Sequence, residues 1–85
     1  MNELQVTCVT KRENTHYGIT HLGGNNWYRT RQEVINAIRS GTSFYVSNGW
    51  GRVYVKVVRG YRGDYVQTFA NNTPTDNLLN LPPCR

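Results

Sequence analysis

Near its start the chain alternates between apolar and polar positions, as β-strands with one buried face do. Leu4, Val6 and Cys8 occupy every second position within residues 4–11, which are rich in β-branched side chains. This pattern predicts a strand in which Cys8 faces the core. A second short strand is expected over 17–22, before a Gly-Gly-Asn-Asn segment that is typical of a turn.

Residues 31–39 carry the pattern of an amphipathic helix with defined ends. Thr30 and Glu33 have the spacing of a capping box, in which each side chain bonds the backbone amide of the other. Gly41 follows where a left-handed residue commonly ends a helix. The apolar stripe of this helix consists of Val34, Ile35, Ala37 and Ile38.

The C-terminal half predicts three strands joined by short turns. A Val-rich strand of alternating pattern lies between two turn segments, 47–51 and 59–64. One strand is expected before it, with Phe44 and Val46 inward, and one after it, over 65–69. We therefore expect an α+β fold: a small antiparallel sheet of four to five strands in the order β-β-α-β-β-β, with one helix packed on one face.

Length and composition predict a single small domain over residues 1–85. Hydrophobic residues make up 38% of the chain and charged residues 18%, which excludes a disordered chain and a coiled coil. No apolar run has the roughly 20 residues of a membrane helix, and the first residues lack the pattern of a signal peptide. We therefore expect a cytoplasmic protein without a membrane partner.

The chain has two cysteines, Cys8 and Cys84. In a cytoplasmic protein the expected state is two reduced thiols, with Cys8 buried and unreactive and Cys84 the more accessible one. A disulfide between them would join the two ends of the chain, and it becomes the alternative if the protein is exported. The sequence leaves open whether the two are paired.

The last third of the chain resembles a known family in its motifs. Residues 65–68, Tyr-Val-Gln-Thr, and residues 76–84, Asp-Asn-Leu-Leu-Asn-Leu-Pro-Pro-Cys, resemble the closing signature of domain-of-unknown-function family 3892, a group of short bacterial and archaeal proteins. The N-terminal half is similar in its strand with Cys8, its Ile-Thr-His-Leu-Gly segment at 19–23 and its helix. The chain departs from the family in its Arg- and Tyr-rich turns and at 69–72, where the family often has an aspartate. The resemblance implies a small mixed domain and supplies no activity, substrate or catalytic residue.

Residue types with catalytic or metal-binding chemistry are few and poorly spaced. The zinc-ligand types are Cys8, His16, His21 and Cys84. Zinc sites usually contain closely spaced ligand pairs, whereas here both cysteines stand alone. A Cys-His-Asp triad could include Asp76, but no motif supports it, and no pair of carboxylates suggests acid–base catalysis. We therefore expect a protein that is not an enzyme and uses no metal and no cofactor.

A sheet face rich in tyrosine and basic residues is the main functional candidate. If the alternating valines pack against the helix, the pleat turns Arg52, Tyr54 and Lys56 to the opposite face. Two further tyrosines join them by the same alternation, and the flanking turns add a tryptophan and two arginines. The predicted ligand-binding residues are Tyr45, Trp50, Arg52, Tyr54, Lys56, Arg59, Arg62 and Tyr65.

The net charge of +5 at pH 7 favours anionic partners. Tyrosine rings stack on bases and cations neutralise phosphates, so we expect a non-enzymatic binding module for an anionic ligand, a nucleotide or single-stranded nucleic acid. The alternative is a protein–protein interaction or self-association through the same face, because Tyr, Trp and Arg are enriched in such interfaces. A third interpretation is an ordinary solvent-facing sheet surface, on which aromatic pairs stabilise neighbouring strands.

Overall fold

The computed structural model describes residues 3–49 and 51–84. Within these ranges the chain forms eight strands, one α-helix and a short 3-10 helix at His16–Gly18. The strands are β1 (Glu3–Gln5), β2 (Cys8–Lys11), β3 (Ile19–Gly24), β4 (Trp27–Thr30), β5 (Ser43–Asn48), β6 (Gly51–Gly60), β7 (Gly63–Ala70) and β8 (Thr73–Thr75). The helix α1 covers Arg31–Arg39. No helix in the described ranges has the length and apolar character that crossing a bilayer requires.

The strands form two sheets rather than one. A five-stranded sheet has the order β1-β5-β6-β7-β8, in which β1 is parallel to β5 and all other neighbours are antiparallel. A separate antiparallel sheet contains β2, β3 and β4. The α+β class is therefore confirmed, whereas the expected single antiparallel sheet and its β-β-α-β-β-β order are wrong. Four strands precede the helix in the described chain, where the sequence pattern resolves only two.

The strand expected over 4–11 divides between the two sheets. Val6 donates its backbone N–H to a β5 carbonyl at 2.7 Å, and Thr7 donates to a β3 carbonyl at 2.9 Å. The alternation of buried and exposed side chains shifts by one residue where the chain crosses from one sheet to the other. Val9 is therefore buried, and Cys8 is only half-buried. The expectation that Cys8 faces the core is therefore wrong, because alternation along a chain does not show where it changes sheets.

A hairpin of β3 and β4 occupies the region where the sequence indicates a turn and a loop before the helix. The turn is limited to Asn25 and Asn26, and Asn26 has a φ of 67°, a left-handed value that asparagine tolerates. Gly24 stays within β3, where a Cβ atom would overlap the Gln5 carbonyl of β1. Trp27 donates its indole N–H to the same carbonyl at 3.2 Å. The end of this hairpin therefore packs closely against the five-stranded sheet.

The helix begins and ends where the sequence predicts. Thr30 Oγ1 accepts from the Glu33 amide at 3.1 Å, and the Thr30 amide donates to Glu33 Oε1 at 2.9 Å, which completes the capping box. The backbone N–H of Thr30, and then its side chain, lower the pKa of Glu33. Gly41 has a φ of 104°, in the region that glycine tolerates best. Val34 and Ile35 are buried, as expected for the apolar stripe.

One hydrophobic core is shared by the helix and both sheets. Its buried members are Val6, Val9, Ile19, Leu22, Val34, Ile35, Phe44, Val46, Val53, Val55, Val66 and Leu78. Thr68 is also buried, with its hydroxyl 2.6 Å from Thr75 Oγ1. Because β5, β6 and β7 turn alternate residues toward this core, their remaining side chains lie on the opposite, outer face of the five-stranded sheet.

Cys8 and Cys84 form a disulfide that joins β2 to the C-terminal segment. The segment runs beside β2: Val9 donates to the Pro82 carbonyl at 3.1 Å, and Cys84 donates to the Val9 carbonyl at 3.2 Å. Both sulfur atoms lie against Gly23, where a Cβ atom would be 2.9 Å and 3.0 Å from them. The expectation of two reduced thiols, with Cys84 accessible, is therefore wrong, because strand pairing brings together cysteines that are 76 positions apart.

Candidate binding face of the five-stranded sheet

The outer face carries the predicted residues of β6. Val53 and Val55 are buried in the core, and the pleat therefore turns the residues between and beside them outward. Arg52 and Lys56 are exposed there, and Tyr54 is half-buried between them. The arrangement along this strand is the one that the alternation of the sequence predicts.

Three aromatic side chains cross the outer face in one row. Tyr45, Tyr54 and Phe69 occupy directly paired positions on β5, β6 and β7. The ring centroids of Tyr45 and Tyr54 are 6.0 Å apart. The same register continues to Gln5 on β1 and Pro74 on β8, so the row crosses the middle of the five-stranded sheet. We call Tyr45, Tyr54 and Phe69 the aromatic row.

Phe69 is the member of the aromatic row that sequence reasoning misses. Val66 and Thr68 are buried, so Phe69 faces outward, and this alternation is readable in the sequence. What the sequence does not show is the register, since only the pairing of Tyr54 with Phe69 places this ring in the row.

Two cations lie over rings of the aromatic row. The guanidinium carbon of Arg52 is 4.2 Å from the Tyr45 ring centroid, and the ammonium nitrogen of Lys56 is 5.6 Å from the Phe69 ring centroid. Both distances are within the range of cation–π contacts. Positive charge is thus held directly on the aromatic row.

Glu3, the first residue of β1, neutralises part of this charge. Its Oε1 atom is 2.6 Å from Arg52 Nη1, and its Oε2 atom accepts a hydrogen bond from the Tyr54 hydroxyl at 3.1 Å. The Arg52 and Glu3 side chains remain 50% and 44% exposed. The pKa of Arg52 is raised, chiefly by a hydrogen bond with the Tyr54 side chain and to a smaller extent by Tyr45 and Glu3. The sequence does not predict Glu3 at this place, because β1 reaches the sheet through a parallel pairing of distant segments.

An open depression borders the aromatic row where β6 begins and β7 ends. Its volume is about 490 Å³, which falls in the range of small-ligand sites. The lining residues are Gly51, Arg52, Val53, Tyr54, Phe69, Ala70 and Asn71. Two rings of the aromatic row and one cation therefore border this depression.

The remaining predicted residues do not join the aromatic row. Tyr65 packs against Tyr17, with ring centroids 4.7 Å apart, at the far end of β7. Arg62 lies in the turn between β6 and β7, with its guanidinium carbon 4.9 Å from the centroid of the same Tyr17 ring. Arg59 is exposed, but its position in β6 places it on the opposite face from the row. Trp50 lies outside the described residues.

The four zinc-ligand types of the sequence are not brought together. Both cysteine sulfurs are used in the disulfide, and His21 stacks on Tyr28 with ring centroids 4.9 Å apart. His16 lies beside Tyr65 at the other end of the five-stranded sheet. Over residues 3–49 and 51–84, no three His, Cys, Asp or Glu side chains converge in a way that could hold a metal ion.

The family resemblance extends well beyond the closing segment. Residues 5–82 match the family described as "Protein of unknown function (DUF3892)". The match includes the aromatic row and both cations above it, whereas Glu3 precedes the matched region. No curated protein and no solved structure matches the chain. The resemblance seen in the sequence is therefore confirmed, and the chain belongs to the DUF3892 family.

Proposed function

We propose that this protein is a non-enzymatic binding module that takes single-stranded nucleic acid or a nucleotide on its outer sheet face. The observation that carries the proposal is the aromatic row with a cation over two of its rings. In the complex, Arg52 and Lys56 turn from the ring faces to the ligand phosphates, and bases stack on the rings. The depression beside Tyr54 and Phe69 receives one base.

The spacing of the aromatic row favours unpaired bases. Neighbouring strands lie about 4.8 Å apart, so side chains at paired positions present closely spaced ring surfaces. A single strand can turn its bases toward such a surface, whereas the bases of a duplex are paired and stacked on one another. Each base stacked on an aromatic ring contributes about 1–3 kcal/mol to binding.

Electrostatic attraction contributes less than the net charge of +5 suggests. The cations on the aromatic row are Arg52 and Lys56, and Arg52 pairs with Glu3. Arg39, the last residue of α1, pairs with Asp64. The row thus contacts two phosphates at most. The slope of log affinity against log salt should not exceed about 1.4 in magnitude, since each phosphate contact adds about 0.7 on a single strand.

A titration of oligothymidylate labelled with fluorescein at its 3′ end tests the proposal, with the same strand in duplex form beside it. The wild type should bind the single strand more tightly than the duplex. Phe69→Leu keeps an apolar side chain but removes the ring. It should weaken binding about 5- to 150-fold, which corresponds to the loss of one stack of about 1–3 kcal/mol.

Tyr61→Leu is the matched control, because Tyr61 is 97% exposed in the turn between β6 and β7, away from the aromatic row. Its affinity should equal that of the wild type. Binding weaker than millimolar by the wild type, or equal affinities of the Phe69→Leu and Tyr61→Leu variants, would contradict the proposal.

Self-association, or binding of another protein through the same face, is the second candidate. The pairing of Glu3 with Arg52 leaves the aromatic row with little net charge, and Tyr and Arg are enriched in the centres of protein interfaces. Sedimentation velocity over a series of protein concentrations separates the candidates. A mass that rises with concentration in the wild type and not in Phe69→Leu would support self-association.

The disulfide bears on the compartment in which such a module works. From the sequence alone, the proposed location is the cytoplasm, without a membrane partner. Disulfides persist in oxidising compartments and are rare in the cytosol, so the Cys8–Cys84 bond favours an oxidising environment instead. Thiol trapping in intact cells, followed by mass measurement of the purified chain, distinguishes the two locations. Labelling of both cysteines would support the cytoplasm, and an unlabelled disulfide would support an oxidising compartment.

A further inference from the structure

We infer that the Glu3 carboxylate competes with the ligand phosphate for the same donors and so sets the strength of binding; this inference rests on the proposed function. Each oxygen of the carboxylate receives one donor: Arg52 Nη1 at 2.6 Å on one, and the Tyr54 hydroxyl at 3.1 Å on the other. A phosphate presents pairs of oxygens to guanidinium and hydroxyl donors in the same way. Glu3 therefore occupies the place in which a ligand phosphate binds.

The contact between Glu3 and Arg52 is accessible to an incoming ligand. The two side chains are 44% and 50% exposed, and ion pairs at such positions are weak because water and salt screen them. A phosphate can replace the carboxylate while Glu3 turns into solvent. Because Glu3 belongs to the same chain, its concentration near Arg52 does not fall on dilution, and it competes at every ligand concentration.

The position of β1 does not depend on the Glu3 carboxylate. Leu4 packs against the core, and Val6 donates its N–H to the Tyr45 carbonyl at 2.7 Å. The parallel pairing of β1 with β5 is made by backbone groups. Replacing Glu3 by glutamine therefore changes the charge on the outer face and leaves the strand and the aromatic row in place.

The exchange of one anion for another has a distinct effect on salt dependence. When a phosphate replaces Glu3 on Arg52, few counterions leave the arginine, because it was already paired. Lys56 then supplies most of the slope of log affinity against log salt, about 0.7 in magnitude on a single strand. Without the Glu3 carboxylate, Arg52 also releases counterions, and the slope should rise to about 1.4.

The test is a titration of the same 3′-labelled oligothymidylate at a series of NaCl concentrations. Glu3→Gln should bind up to about fivefold more tightly at low salt, and its salt slope should be about twice that of the wild type. Glu13→Gln is the control, since it makes the same change in net charge at an exposed position in the loop before the 3-10 helix. It should alter neither the slope nor the low-salt affinity by a comparable amount.

A double-variant cycle assigns the effect to Arg52. In an Arg52→Gln background, Glu3→Gln should no longer strengthen binding. The inference is wrong if Glu3→Gln has the same salt slope as the wild type and binds no more tightly. If Phe69→Leu still weakens binding in that case, the proposed function stands. Absence of binding by both the wild type and Glu3→Gln would overturn the inference together with the proposed function.

Discussion

At the scale of single residues, His16 is held in an environment that opposes its protonation. Its Nε2 atom is buried and has no hydrogen-bond partner within the described part of the chain. Burial lowers the pKa of His16, and the Asp76 carboxylate opposes this only in part. The ring centroids of His16 and Tyr65 are 6.0 Å apart.

Stability should therefore fall as the pH decreases from about 7.5 to about 5.5. The unfolded chain takes up a proton near the ordinary histidine pKa of 6.5, while the folded chain resists it, so acid favours unfolding in this range. Thermal unfolding of the wild type should show a falling melting temperature, and His16→Phe should remove most of the fall. His21→Gln, which removes the other histidine, should keep it. The same pH dependence in His16→Phe and the wild type would show that another group is responsible.

The sequence predicts the positions of some residues of the candidate face but not of others. Arg52, Tyr54 and Lys56 are predictable, because alternation within one strand is a local property. Phe69 follows the same alternation, but its membership of the aromatic row depends on the register between two strands. Glu3 is not predictable, since its place depends on a parallel pairing that no turn or motif indicates.

At the scale of secondary-structure elements, α1 depends on its N-terminal cap. Thr30→Ala removes the acceptor of the Glu33 amide and should lower the free energy of unfolding by about 0.5–2 kcal/mol. Thr30→Ser keeps the hydroxyl and should behave nearly as the wild type. Urea denaturation measures both. Equal midpoints for Thr30→Ala and Thr30→Ser would show that the capping hydrogen bond does not stabilise the domain.

The helix is predictable because its cap, apolar stripe and terminal glycine lie within a dozen neighbouring residues. The strands β5, β6 and β7 are predictable for the same reason, since short turns connect them. The second sheet is not predictable in this way. Its first strand continues directly from a strand of the other sheet, and the sequence pattern shows no break between them.

At the scale of the whole molecule, the disulfide encloses most of the chain. Cys8 and Cys84 are 76 positions apart, and a cross-link over such a span raises the free energy of the unfolded chain by about 4.5 kcal/mol in the chain-entropy account. Small domains have total stabilities of about 5–15 kcal/mol. Reduction should therefore remove a large share of the stability of this domain.

Urea denaturation with and without a reducing agent measures this effect. The reduced wild type should unfold at a clearly lower urea concentration than the oxidised protein. In a Cys8→Ala, Cys84→Ala double variant, the reducing agent should not change the urea midpoint. This control separates loss of the disulfide from other effects of the reagent. Identical midpoints for the oxidised and reduced wild type would contradict the prediction.

The most direct test of the central claim, that the ligand lies on the aromatic row, is backbone amide NMR of the ¹⁵N-labelled protein during titration with oligothymidylate. The amides of Tyr45, Tyr54, Phe69 and their neighbours on β5, β6 and β7 should shift progressively and saturate. The amide of Tyr61, in the turn between β6 and β7, should stay in place. Shifts confined to that turn or to the three-stranded sheet, or no shifts at millimolar ligand, would contradict the account.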